Sequence, residues 1–382
     1  MVRVSADSLS ELRNRRSEKW RSFPEDVLPL PVAEMDFPIA KPIRDVLIDM
    51  VKRSDTGYSV LDPELPRAFA NFAMRNWDWT VNQDQFYLAT DVGVAGIEVL
   101  RLWTKPGDKV VVNTPVYLNF FNWIKEANCE VVDAPLKHLG DSWALDLAGL
   151  EDAFAAGAKA YILCHPHNPV GHVFTLDELE KIAELAKKYN VLVISDEIHA
   201  PLIFKETKFV PYLNVSDAAR ETGVCITSAS KAWNLAGLKC AQIVADDSVI
   251  NDRLALLPAL LSERASLFGV WAGIAAYNQG EPWLKAVLKN IDGNRHYLAK
   301  LLKKHLPKAK YTVPNGTYLA WIDLSAYGQD EVAQLLLDKG RVALSNGSLF
   351  GGVGKGFVRL NLATSKEIIK DAVLRMASVL EG

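Results

Sequence analysis

The chain has 382 residues, 49% of them apolar and 23% charged, a composition ordinary for a soluble globular protein and long enough to predict two domains. Its 43 Lys and Arg against 46 Asp and Glu leave a formal charge of −3, which argues against a nucleic-acid surface or a polybasic membrane patch. No apolar run reaches the ~18 residues that span a bilayer, the polar stretch Met1 to Arg16 lacks the apolar core of a secretory signal, and a cytoplasmic location is expected.

In chain order, the Pro-rich start (Pro24, Pro29, Pro31, Pro38, Pro42) reads as an arm packed against a smaller domain. Short β-branched runs follow, at Lys109 to Asn113, Cys129 to Ala134 and Lys159 to Cys164. A helix is predicted from Leu176 to Tyr189. Thr175 and Glu178 have capping-box spacing, and Leu176, Leu179, Ile182, Leu185 and Ala186 recur on one face. Further strands are predicted at Val191 to Ser195, Val224 to Ser228 and Cys240 to Ala245. Strands alternating with helices imply a three-layer α/β/α domain on a mostly parallel sheet. After a helical stretch at Leu284 to Leu306, strand-like runs at Thr317 to Asp323 and Gly356 to Leu362 and a helix from Lys366 predict an α+β domain built from both chain ends. The expected division is residues 1–45 as arm and part of the small domain, 46–280 as the large domain, and 281–382 as the rest of the small one. The four cysteines, Cys129, Cys164, Cys225 and Cys240, form no CxxC pair and read as free thiols in a reducing compartment.

Ligands of an open α/β sheet bind beyond the carboxyl ends of its strands. The segments there are Thr114-Pro115-Val116-Tyr117, His165 to Gly171, Asp196-Glu197-Ile198-His199 and Ala229-Ser230-Lys231. Together they offer an aromatic ring, an amide, a carboxylate, imidazoles, hydroxyls and a primary amine. That inventory suits pyridoxal 5′-phosphate (PLP), which needs an amine for an imine, an anion at its pyridine nitrogen, donors near O3′, a ring support and a helix N-terminus for its phosphate.

Taken singly, each residue has a bland reading. Lys231 alone is a surface lysine, Asp196 a helix N-cap, His199 a structural histidine, Tyr117 core packing, Arg359 an exposed salt-bridged strand residue and Tyr58 a loop aromatic. Rival motifs are weaker. His165 and His167 make an HxH pair that could bind a metal, but this leaves Asn168 and Lys231 unexplained. Ser228 to Lys231 fits S-x-x-K without its companion motifs. Gly351 to Gly356 lacks the Ser or Thr of a phosphate loop. No metal site is expected.

The motifs HNPVG (167–171), SDEIH (195–199), SASKAWNLAGLK (228–239) and FVRLNLA (357–363) occur in the order and spacing of a fold-type I PLP enzyme, and the sequence resembles the aspartate-aminotransferase superfamily over nearly its whole length. The resemblance implies that Lys231 carries the cofactor and shuttles the proton, and that Asp196 pairs with the pyridine nitrogen. It implies that Asn168 reaches O3′ and that Tyr117 stacks on the ring. His199 stands where related enzymes often place a Tyr. Gly93 and Val94, Ser228 and Ser230, and Lys239 in place of the usual Arg, would hold the phosphate. Arg359, with Asn168, would hold the substrate carboxylate. Tyr58 resembles the tyrosine that crosses to a partner's phosphate, implying a homodimer with shared sites.

PVAEMDFP (31–38), GYSV (57–60), TPVYLNFF (114–121) and SDEIHAPL (195–202) are most similar to the cystathionine β-lyase branch typified by MalY and PatB. The expected reaction is therefore elimination from L-cystathionine or another S-substituted L-cysteine, in amino-acid metabolism such as methionine biosynthesis. The alternatives are an aminotransferase, which uses the same residues, and a non-enzymatic regulator on this fold. The chain departs from the branch at Glu34, which replaces an Asp, and at Pro201, which replaces an acidic residue; Lys239 varies in the branch.

Overall fold

The computed structural model describes residues 3–140, 142–329 and 331–382. Its centre is a seven-stranded sheet of β1 (Phe86–Ala89), β2 (Lys109–Val112), β3 (Glu130–Asp133), β4 (Ala160–Cys164), β5 (Leu192–Asp196), β6 (Gly223–Thr227) and β7 (Ala241–Val244), in the order β1-β7-β6-β5-β4-β2-β3. Strands β3, β2, β4, β5 and β6 run parallel; β7 is antiparallel to both β6 and β1. The fold is thus α/β with a mostly parallel sheet.

Period-2 alternation explains why the central strands read as unbroken apolar runs. Helices α1 (Lys41–Lys52) and α2 (Glu64–Trp77) precede the sheet in the chain. Along β4, Tyr161 and Leu163 enter one core with α5 (Leu176–Tyr189), while Ala160, Ile162 and Cys164 enter a second core with α3 (Val92–Trp103) and α4 (Asn119–Glu126). Both faces of the sheet are covered, so neither alternates with polar residues.

α5 begins and ends where its sequence demands. Thr175 Oγ1 accepts from the Glu178 N–H at 3.2 Å, and a Glu178 carboxylate oxygen accepts from the Thr175 N–H at 2.7 Å. Asn190 closes the helix in the left-handed conformation, φ 54°. Leu179, Ile182 and Ala186 are buried, but Leu176 in the first turn is exposed and Leu185 only half-buried, so the apolar face is narrower than its spacing implies.

A four-stranded antiparallel sheet follows: β8 (Lys310–Tyr311), β9 (Leu319–Asp323), β10 (Ser345–Asn346) and β11 (Phe357–Asn361), ordered β8-β9-β11-β10. The long helix Glu281–His305 and the closing helix Lys366–Leu380 pack together beside it. The start of the chain joins this sheet region, Leu28 and Pro29 pairing in parallel with Val342 and Ala343. Among the described residues no helix is long and apolar enough to cross a membrane.

Candidate active site

The carboxyl ends of β2, β4, β5 and β6 open on one cavity of about 510 Å³. Its lining includes Tyr117, Asn168, Asp196, His199, Lys231 and Arg359, so six residues from five separate segments meet there. Val92, at the start of α3, also lines it.

Each side chain is placed by its element. Asp196 is the last residue of β5 and is buried; its Oδ1 accepts from the Ile198 N–H at 3.1 Å, a turn rather than a helix cap. Burial pushes its carboxyl up to about 7, against the backbone N–H and Lys231 that favour the anion. Lys231 lies in the turn after β6, and its Nζ donates to the Ala33 carbonyl at 3.1 Å. Burial and then the Arg359 charge bring its amine down to about 8. Burial brings His199 down to about 3, so its imidazole is neutral.

Arg359 sits mid-strand in β11, opposite Trp321 and Ser345, with its neighbours Val358 and Leu360 in the core. It is buried, not an exposed salt-bridged strand residue: Nη1 donates to Asn168 Oδ1 at 3.0 Å, Nη2 to the Pro31 carbonyl at 2.8 Å, and the guanidinium lies over Phe350 at 5.0 Å. With Oδ1 committed to Arg359, the Asn168 Nδ2 donor is left for the cavity. The Tyr117 hydroxyl accepts from Asn119 Nδ2 at 2.7 Å.

A strap of backbone, residues 31–36, closes one wall. Asn234 holds Met35 through both its N–H and its carbonyl, at 2.8 and 3.1 Å. Asn361 Nδ2 donates to the Val32 and Glu34 carbonyls at 2.8 and 2.6 Å, and the Tyr318 hydroxyl donates to Ala33 at 2.8 Å. Sequence reasoning used the strap segment PVAEMDFP only as a mark of the branch, and gave no site role to it, to Tyr318, to Asn234 or to the mouth residues Glu18, Ser22 and Phe23. Asn234 and Asn361, which stand inside the motifs SASKAWNLAGLK and FVRLNLA, were the available signal.

The other expected phosphate ligands lie off this cavity. Gly93 and Val94 are in the first turn of α3. Ser228 Oγ donates to the Cys240 carbonyl at 2.6 Å and accepts from the Ser230 N–H at 3.0 Å. Lys239 is ion-paired with Asp91 at 3.1 Å. Tyr58 is 97% exposed. The HxH pair does not line the cavity: His165 and His167 engage the Val210 and Pro115 carbonyls through Nε2 at 3.0 and 2.8 Å, and among the described residues neither belongs to a group of three or more possible metal ligands.

The donor set fits PLP. Asp196 is a buried carboxylate facing the cavity, Lys231 is an amine brought toward its free-base form, and two buried atoms of cavity-lining side chains, His199 Nδ1 and Arg359 Nε, have no hydrogen-bond partner among the described residues. A pyridine nitrogen, an aldehyde, a phenolic oxygen and a substrate carboxylate would supply what these groups lack.

The chain matches the family described as aminotransferase class I and II over residues 25–375. It is 36% identical to a cystathionine beta-lyase of Corynebacterium glutamicum, covering 97% of this chain and 99% of that protein. It is 32% identical to the cystathionine beta-lyase PatB of Bacillus subtilis, covering 99% and 100%. The structure of cystalysin from Treponema denticola, which contains PLP, superposes with a TM-score of 0.95 at 27% identity over 100% of this chain and 99% of that one. The cavity at the strand ends and the full-length similarity lead to one assignment: the chain belongs to the aminotransferase class I and II family, in the cystathionine β-lyase branch that includes PatB.

Proposed function

We propose that this protein is a PLP-dependent carbon–sulfur β-lyase that cleaves L-cystathionine or related S-substituted L-cysteines to a thiol, pyruvate and ammonia. The observation that carries it is the meeting of Lys231, Asp196, Asn168 and Arg359 on one cavity, in a chain similar end to end to proteins named for this activity.

When bound, PLP supplies an aldehyde that condenses with amino groups and a pyridinium that draws in the electron pair left at Cα. The residues do the rest. Asp196 keeps a proton on the pyridine nitrogen. Arg359 orients the substrate by its carboxylate. Lys231, with its amine near the neutral range, takes the Cα proton and can hand a proton to the departing sulfur. The C–S bond breaks with its electrons going to sulfur. Water then completes the balance, the remaining three-carbon fragment giving pyruvate and ammonium. The phosphate seat would comprise Gly93, Val94, Ser228, Ser230 and Lys239.

The exposed Tyr58 and its exposed neighbour Val60 support a homodimer in which this loop reaches the partner's site. Four free cysteines fit a cytoplasmic enzyme of sulfur amino-acid metabolism such as methionine biosynthesis.

The test is pyruvate release from L-cystathionine without added 2-oxo acid, in the native protein and Lys231→Ala. Steady pyruvate that vanishes in the variant is expected. No pyruvate, with amino transfer on adding 2-oxoglutarate, would replace the lyase with an aminotransferase.

A further inference from the structure

Asp91 stands at the N-terminus of α3, two residues before Gly93. It caps the helix: Oδ1 accepts from the Val94 N–H at 2.9 Å. Its other oxygen, Oδ2, takes Lys239 Nζ at 3.1 Å across 148 residues of sequence. Lys239 is held at φ 51°, in the left-handed region, at the end of the turn Ala236–Leu238 that follows the Lys231 segment. The pair is open to solvent, with 57% of the lysine and 38% of the aspartate side chain exposed, while the adjacent Val92 lines the main cavity. A side chain at Gly93 would bring its Cβ within 3.2 Å of Asp91 Oδ1, so the glycine keeps this corner open.

Of the two features that make this corner an anion seat, free helix amides and a lysine, the Val94 amide and the lysine are thus already engaged by a carboxylate of the chain itself. We infer that Asp91 occupies the seat of the cofactor phosphate as an internal anion, and that PLP must displace it from Lys239 in order to bind. The inference rests on the PLP reading. The charge count gives its sign. Lys239 contributes one positive charge, the helix N-terminus roughly half of one, and Asp91 takes one away. A phosphate near full ionisation therefore meets a seat of about half a unit instead of one and a half. The carboxylate weakens phosphate binding and leaves the aldehyde chemistry at Lys231 untouched, so cofactor retention becomes the property that Asp91 sets.

Asp91→Asn tests this, because Asn caps helices as well as Asp does and keeps an oxygen for the Val94 N–H. Cofactor-free protein is titrated with PLP and, separately, with pyridoxal, which has the aldehyde but no phosphate, following the visible absorption of the bound aldehyde. The dissociation constant for PLP should fall by about tenfold or more in Asp91→Asn, the size expected for removing a like charge a few ångströms away in a partly hydrated site. The constant for pyridoxal should not change. Asp91→Ser, which also caps, should behave like Asp91→Asn, and Lys239→Gln should weaken PLP but not pyridoxal. Unchanged or weaker PLP binding in both capping variants, or an equal gain for pyridoxal, overturns the inference. If neither compound gives bound absorption in the native protein, the PLP reading itself fails.

Discussion

Nη1 of Arg359 donates to Oδ1 of Asn168 at 3.0 Å, tying the middle of the four-stranded sheet to the loop beyond β4. The bond fixes both partners: it leaves the amide nitrogen of Asn168 for the cofactor side and holds the guanidinium plane beside it. Nη2 is used by the Pro31 carbonyl, and Nε remains unpaired. Arg359→Lys puts one ammonium where a fork of donors spans Asn168, the strap and a carboxylate. It should lower kcat/KM for L-cystathionine about 100-fold, mostly through KM, the worth of a lost charge-assisted bidentate contact. Visible absorption of the bound cofactor should be unchanged. Steady-state kinetics beside absorbance checks this, and a loss confined to kcat would remove Arg359 from carboxylate binding.

The carboxyl of Asp196, raised by burial from 3.8 to about 7, makes a pH prediction for the cofactor-free protein. Between those values the folded chain binds a proton that the unfolded chain does not. Its stabilising effect is complete below about 3.8 and is lost as pH rises through about 7. Glu197, also raised to about 7, and the lowered His165 and His199 titrate nearby, so the quantity to follow is the difference from Asp196→Asn. The variant should match the native apoprotein near pH 4 and exceed it in stability by pH 8, by on the order of 4 kcal/mol at most. Denaturant unfolding at several pH values measures this. Saturating PLP should abolish the advantage, because a pyridinium gives the native carboxylate its missing cation. A pH-independent difference would show that burial does not control this group.

Much of this site was legible because parallel strands buried on both faces leave unbroken β-branched runs, and such strands deliver their following residues to one edge. Ala160–Cys164 and Leu192–Asp196 were found that way, and with them Asn168 and Asp196. The strand Phe86–Ala89 was not found: four residues without β-branching carry no period, and its place is set by pairing with Ala241–Val244, more than 150 residues on. The antiparallel direction of that partner was equally hidden, since it depends on a short connection that holds a single 3-10 turn, Ala236–Leu238, instead of a crossover α-helix. The strap's role as a wall of the site eluded sequence reasoning for a related reason. Its wall is backbone carbonyls, and no residue type advertises a carbonyl that Lys231, Tyr318 and Asn361 will use.

That strap is anchored by a buried ion pair. Lys19 Nζ meets Asp36 Oδ2 at 2.7 Å with both side chains 0% exposed, and Trp20 Nε1 donates to Oδ1 at 3.0 Å. Asp36→Ala leaves the Lys19 ammonium with only the Glu34 carbonyl, at 3.5 Å, and the Trp20 indole N–H without a partner, and should cost about 3–5 kcal/mol of stability. Lys19→Met combined with Asp36→Leu should recover much of that loss, since no buried charge remains. Urea unfolding of the three proteins decides the point. If the double variant is no better than Asp36→Ala, packing and not the unpaired charge is responsible.

Tyr58 offers a test of shared sites. Its ring is 97% exposed, and Ser59 fixes the loop beside it by donating from Oγ to the Ala265 carbonyl at 2.5 Å. A large aromatic held out on an anchored loop gains nothing within its own chain. In a dimer with crossing loops, Tyr58→Ala damages the partner's site and Lys231→Ala its own. Neither variant alone should release pyruvate efficiently at limiting PLP. When the two are unfolded together and refolded, mixed dimers carry one doubly damaged site and one intact site. Activity should then rise to about a quarter of the native value, the share of intact sites under random pairing of protomers. If Tyr58 served its own chain, every mixed dimer would hold two damaged sites, and mixing would restore nothing.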